Sequence, residues 1–408
     1  MNFLKIPLEK KVILFASLIQ FLHSLEFMMM VPLSSDLVVE MNINKSYTGY
    51  ITGVYIFSSS LSSLLLSGVL DKFDRKKVIF GSLLGMSIMT LITTMSWDFD
   101  SLVLFRAFSG IFAGPLISVS MSIVLDYVSM QRRTFAFSIV TSMLSISSIV
   151  GVPLALVMSN YSDWRLPLYS LAFFGLIISL FFNISLPSMK DHIRKYNKLD
   201  IYKFGVIGNA VFLKSFVLTG LTVFSTFLIV PHIPVYIQFN LGLERGSLSA
   251  YYFIAGILSF IVMGVCGKIA EKINESFVIL FCSMVIIFII FRAFVFVSDE
   301  PFIMGLFAGF MAFSMTRTVT SVLFSSKHTK PCERAKYMSI QNASQGLFIG
   351  LASLISSSVL FVENDKLQNM EIISMLAIFV SAVVPLLAVS IQRYYSRNKN
   401  PNYSIVNE

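Results

Sequence analysis

The chain has 408 residues, of which 13% are charged and 56% hydrophobic, with 39 Phe and 21 Met. The charged share is about half the ~25% of a soluble globular domain, which excludes an ordinary soluble enzyme, a secreted disulfide scaffold and a disordered tail protein. Cys266, Cys282 and Cys332 form no CxxC or Cys/His cluster, so neither a disulfide framework nor a metal site is expected.

A hydrocarbon core of ~30 Å takes about 20 apolar residues per helix. Twelve stretches meet that length, at about 12–34, 48–70, 78–97, 101–127, 135–158, 166–187, 215–238, 247–270, 276–297, 301–324, 337–362 and 370–391. They are continuous runs, unlike the ~10-residue alternating segments of a membrane β-barrel. The first follows Lys10 and Lys11 and is too long for a signal-peptide core, so it reads as a retained helix.

Basic residues set the orientation. With the N-terminus inside, 24 of the 31 Lys and Arg fall in cytoplasmic segments, and only Lys45, Arg165, Arg245 and Lys366 fall outside. Arg106, Arg292 and Arg317 lie within spans, Arg292 near an outer end where it can snorkel. The expectation is a multi-pass protein of a bacterial inner membrane with both termini cytoplasmic. The net charge of +9 then reports topology and implies no nucleic-acid partner.

The loop SMKDHIRKYNKLDIYKF separates six spans from six. It suggests a bundle over 1–187, a cytoplasmic linker over 188–214 and a second bundle with a short tail over 215–408. Asp71-Lys72 is echoed by Glu271-Lys272, and Arg133 with Ser138 by Arg334 with Ser339, at one offset of about 200 residues. The fold class read from this is all-α: twelve transmembrane helices in two pseudo-symmetric six-helix bundles. Duplicated halves of this kind are common in alternating-access carriers, with the solute site between them at the midplane.

Three motifs carry a family resemblance. The loop SGVLDKFDRKKV after the second span resembles the major facilitator superfamily signature G-x-L-a-D-r-x-G-r-k. Asp71, Lys72, Arg75 and Lys76 take its charged positions, while Ser67 and Asp74 stand where glycines are usual. The bland reading of the same loop is a positive-inside anchor. LFRAFSGIFAGP in the fourth span resembles R-x-x-x-G-x-x-x-G, with Arg106, Gly110 and Gly114 on one helix face. The glycines allow close helix approach. The arginine costs ~2.5–3.5 kcal/mol in hydrocarbon by insertion scales, so it either faces protein or snorkels. SSIVGVPLA in the fifth span resembles the antiporter motif at Gly151 and Pro153, without the terminal glycine pair.

The resemblance covers nearly the whole chain and points to the drug:proton antiporter and sugar-efflux branch. It implies that an acid on the first span couples to protons or binds cationic solutes. It also implies that charges at span ends join when the carrier opens outward: Arg75 with Asp126, and Asp71 with the start of the eleventh span near Tyr337.

Glu26 is the one acid well inside a span. Counting 1.5 Å per residue puts it ~12 Å below the outer surface and Arg106 ~8 Å below, within reach of each other. The choice is between a proton-exchanging pair and a static one. His23, one turn before Glu26, can modulate that site, or serve as an interior donor, as can His232 between Pro231 and Pro234. Arg317, deep in the tenth span, can bind an anionic group or pack against carbonyls. Gln341 and Gln345 are one turn apart and can line a pore, as can Tyr251 with Tyr252. The serines at 58, 59, 62 and 63 suit close packing of the second span.

No Walker loop or nucleophile motif is present. The chain reads as a non-enzyme without cofactor, driven by a proton or other ion gradient and working as a monomer. Its partners are a small-molecule solute, protons and the bilayer. Proton-coupled efflux leads. Uptake symport is the alternative, and a non-transporting membrane receptor is further behind.

Overall fold

The structure is a computed structural model that describes residues 7–70, 72–190, 193, 210–295, 303–327 and 334–397. The first expected span is two helices, α1 (Leu8–Met28) and α2 (Met30–Glu40). Pro32 has no N–H for the Met28 carbonyl, so the ladder breaks there, and Leu33 N bonds Met29 O at 3.2 Å. Next come α3 (Thr48–Leu70), α4 (Arg75–Thr93) and α5 (Phe99–Tyr127). Asp74 caps α4 by accepting from Lys76 N–H at 3.0 Å, and Asp98 forms a reciprocal capping box with Ser101 on α5.

The fifth span is α6 (Arg133–Ile146), a π-helical turn over Ser147–Gly151 and α7 (Val152–Tyr161). Pro153, which lacks an N–H, follows the widened turn. With α8 (Arg165–Ser185) the N-terminal half is complete. The C-terminal half has α9 (Ala210–Phe227), irregular turns around Pro231 and Pro234, α10 (Leu248–Lys272) and α11 (Glu275–Ile290). It ends with α12 (Ile303–Lys327), α13 (Arg334–Val359) and α14 (Met370–Arg397).

The chain is predominantly helical, in line with the expected class, and departs from it in one short hairpin. The eleventh span stops at Val359, and a hairpin of β1 (Phe361–Glu363) and β2 (Lys366–Gln368) follows. Asn364 and Asp365 turn it with φ of 49° and 64°, the left-handed pair that a tight hairpin needs. Among the described residues, eleven helical segments are long and apolar enough to cross a membrane. The long helix α13 falls outside that set, because Gln341, Asn342, Gln345 and several serines dilute its apolar surface.

The described ends of α1 and α14 lie on one face, the terminal face. The hairpin and residues 41–47 and 241–247 lie on the opposite, distal face. Within the N-terminal half α5 packs on α3 and α4, and α4 on α8. Within the C-terminal half α12 packs on α10 and α11, and α9 on α13 and α14. The halves meet where α3 lies along α13 and α7 along α10. The expected role of Gly110 and Gly114 is visible here: a Cβ on them would stand 2.3 Å from Tyr55 O and 2.1 Å from Ser59 O.

Candidate functional site

Close packing of α5 on α3 and α4 turns Arg106 inward, and α1 presents Glu26 to it. Both side chains are 0% exposed, which removes the snorkelling alternative. Arg106 Nη1 donates to Glu26 Oε1 at 2.6 Å, and Nη2 to the Glu26 carbonyl at 3.3 Å. Ser109 Oγ donates to Oε1 at 3.3 Å and Thr90 Oγ1 to Oε2 at 2.9 Å. The Tyr55 ring covers the guanidinium, its centroid 4.3 Å from Cζ. His23 lies against the Tyr55 ring, with centroids 5.9 Å apart, and its Nε2 has no partner among the described residues. Sequence reasoning missed Thr90, Ser109 and Tyr55, since nothing in their local spacing marks them.

Arg317 is also fully buried. Its Nη2 donates to Thr222 O at 3.1 Å, Ser225 Oγ at 2.7 Å and Thr226 Oγ1 at 3.2 Å, all on α9. Nη1 donates to Ser381 Oγ on α14 at 3.1 Å. No carboxylate contacts it among the described residues. Gln341 is buried with both amide atoms unpartnered there, and Gln345 is half-buried with Nε2 unpartnered. Tyr251 is half-buried on α10, 6.2 Å from the Phe307 ring. The structure does not gather these residues around Glu26. Arg292 lies exposed in the turn after α11.

The distal face is closed by bonds between the halves. Asp36 of α2 forms a two-pronged ion pair with Arg245, and Arg245 Nη2 also reaches Ser159 Oγ of α7 at 3.3 Å. Lys45 pairs with the Asp365 carboxylate, donates to its carbonyl at 2.7 Å and sits 3.8 Å from the Phe239 ring centroid. Asn240 pins the hairpin by bonding Leu367 N at 3.0 Å and Leu367 O at 2.8 Å. His232 spends both nitrogens here, on Thr48 Oγ1 at 2.9 Å and Ser356 Oγ at 2.8 Å. Phe27 and Phe227 touch across the interface at 5.6 Å. These pairs were missed, yet a signal existed. Lys45, Arg165 and Arg245 break the charge rule, and each is held by an acid here, Arg165 by Glu40 at 3.3 Å and Asp163 at 3.4 Å. Burial, helped by Asp163, raises the Glu40 carboxyl despite Arg165.

On the terminal face Arg75 Nε lies 3.0 Å from Asp126 Oδ2, the pair that the motif resemblance implies. The resemblance ties it to an outward-open state, whereas here it coexists with a closed distal face. Both residues belong to the N-terminal half, so this pair does not itself join the halves. Asp74, which replaces a family glycine, is a tether as well as a cap. It accepts from Ser188 Oγ at 2.5 Å and Met189 N at 2.9 Å. Burial pushes this carboxyl up, but those bonds, that from Lys76 N–H and the Lys190 charge outweigh it and hold it below the usual range. Lys72 is exposed and Lys76 half-buried. Asp71 lies outside the described residues, so its approach to Tyr337 does too. Tyr337 itself stacks on Phe216 at 5.1 Å.

Gly151 sits in the π-turn against Leu25, where a Cβ would stand 2.8 Å from Leu25 Cδ1, and Ser147 Oγ bonds Phe21 O at 3.1 Å. The Gly151–Pro153 kink therefore packs on α1 beside Glu26.

Comparison with known proteins agrees with this architecture. An uncharacterized transporter, BU466, of Buchnera aphidicola subsp. Acyrthosiphon pisum (strain APS) is 24% identical over 370 residues, covering 86% of this chain and 90% of its own length. A second uncharacterized transporter, from Buchnera aphidicola subsp. Schizaphis graminum (strain Sg), is 26% identical over 132 residues, and the chain spans only 32% of its length. The uncharacterized MFS-type transporter YtbD of Bacillus subtilis (strain 168) is 21% identical, with 60% of each chain covered. Among solved structures, the nucleoside transporter NupG superposes with a TM-score of 0.70 at 15% identity, over 94% of this chain and 99% of that one. A bacterial homolog of the human lysosomal transporter Spinster, inward-facing and occupied, gives 0.70 at 13%, over 96% and 98%. These likenesses speak to the fold. The family model described as Major Facilitator Superfamily matches residues 16–353, and the chain belongs to that superfamily of membrane transporters.

Proposed function

We propose that the chain is a secondary active transporter that exports a small organic solute in exchange for protons by alternating access. The observation that carries this reading is Glu26. A carboxylate with no exposure, held by an arginine and two hydroxyls inside a membrane bundle, is expensive to keep without a task. On this reading the twelve long segments are twelve spans, in two pseudo-symmetric bundles over 1–187 and 215–408 joined by the 188–214 linker. Both termini are cytoplasmic in a bacterial inner membrane, and the distal closure is the outer gate. No cofactor takes part, the ion gradient supplies the energy, and the monomer is the working unit. The solute lies between the halves, near Phe27 and Phe227, with the amides of Gln341 and Gln345 as polar partners. Rings and amides suit a neutral organic solute with a flat ring and hydroxyls, a class that includes nucleosides.

A second reading, uptake by symport, draws on the missing glycine pair after Pro153. Proteoliposome transport across a solute panel, with pH gradients of either sign, separates the two. The expected result is solute movement against the proton flow. Glu26→Gln should abolish gradient-driven accumulation while leaving solute counterflow. Uphill transport by Glu26→Gln equal to the parent would place coupling elsewhere.

A further inference from the structure

The Thr90 hydroxyl has one hydrogen and two acceptors, Glu26 Oε2 at 2.9 Å and the Met86 carbonyl at 2.8 Å. Met86 O lies one turn back on α4, where a threonine commonly bonds its own helix. On the carboxylate, Oε1 is taken by Arg106 and Ser109. Oε2 has Thr90 as its partner among the described residues, so Oε2 is the oxygen open to a proton.

We infer that Thr90 is a hydrogen-bond switch that lets Glu26 hold or release a proton without leaving its buried position. With Glu26 ionised, the Thr90 O–H donates to Oε2. With a proton on Oε2, that O–H donates to Thr90 Oγ1, and the threonine hydrogen turns to the Met86 carbonyl. One proton is gained, every donor keeps an acceptor, and no heavy atom has to move. The charged and titratable groups around Glu26 are Arg106 from α5 and Tyr55 from α3, with His23 of α1 at 5.9 Å from the tyrosine ring. When the carboxylate is neutralised, Arg106 keeps its bond to the Glu26 carbonyl at 3.3 Å and its place on the Tyr55 face. Thr90 is thus a positioning residue; the transported proton resides on Glu26.

This inference rests on Glu26 being the proton carrier, and the test separates the two claims. The full chain in liposomes is titrated by infrared difference spectroscopy, with Glu26→Gln identifying the carboxyl band. Thr90→Val removes the donor to the ionised form and the acceptor of the protonated one, and the charge-assisted bond to the ionised form is the stronger of the two. The band should then grow in at a pH about one unit higher or more, a tenfold or larger change in proton affinity. It should also move to higher wavenumber, because the carboxyl O–H has lost its acceptor. Thr90→Ser should restore both, and the pH profile of transport should follow. Thr90→Ala gives the same readings if the valine variant does not reach the membrane. A Glu26 band that titrates identically with and without the Thr90 hydroxyl overturns the switch and spares the carrier. Absence of any Glu26 band in the parent from about pH 5 to 9 removes the carrier and the switch together.

Discussion

Among the described residues, each half of the molecule holds one arginine with no exposure at all, and the two neutralise its cost differently. Arg106 meets a carboxylate, two further hydrogen-bonded hydroxyls on that carboxylate, and an aromatic face. Arg317 meets three hydroxyls and one backbone carbonyl, with no carboxylate in contact among the described residues. In both, the arginine ties its helix to the first helix of its half, α5 to α1 and α12 to α9. The bracing is similar, but only the N-terminal version contains a carboxyl group among the described residues. On our reading, proton chemistry belongs to one half, and the other supplies a rigid counterpart.

The comparison breaks most visibly under removal of the cations. Arg106→Met strands a buried carboxylate and should cost about 3–5 kcal/mol of stability, most of it recovered by adding Glu26→Gln. Arg317→Met leaves hydroxyls that can bond their own helices, and about 1–3 kcal/mol is expected. Denaturant unfolding in detergent measures both. Equal costs, or no recovery in the double variant, would show that the two arginines are braced alike.

The distal bonds sharpen the comparison by testing whether the halves move as bodies. Asp36→Arg should open the distal face, so that a cysteine at Ser353, buried against Gly49, reacts faster with an impermeant maleimide in a background lacking native cysteines. A bias of ~1.4 kcal/mol gives a tenfold change in the open population. The exchange Asp36→Arg with Arg245→Asp should return labelling toward the parent rate. Labelling that ignores both changes would mean that the closure rests on the helix contacts alone.

The smallest effect concerns the tether that holds the N-terminal half together on the terminal face. Asp74→Ala should cost about 0.5–2 kcal/mol near neutral pH, the usual worth of a cap. The Asp74 carboxyl is held below its ordinary value, so its stabilisation is present above the unfolded value of about 3.9 and fades as pH falls through the lower folded value. The gap between parent and variant should therefore narrow in acid. A gap that is constant down to about pH 3 would assign the loss to packing instead of to the charged cap.

Much of this was legible from the chain alone. Span length is a local property of apolar runs, although the apolar count passed over the break at Pro32, where a missing N–H acts within one turn. The Glu26–Arg106 meeting was accessible because rise per residue fixes depth. Depth does not fix rotation about the helix axis, and rotation decided the rest. It turned Thr90 and Ser109 onto the carboxylate, laid the Tyr55 ring against Arg106, and left Arg317 with no acid in contact among the described residues. The distal pairs join residues 209 and 320 positions apart, Asp36 with Arg245 and Lys45 with Asp365. Such contacts exist only once two halves are packed, because their geometry comes from helix crossings that no local pattern encodes.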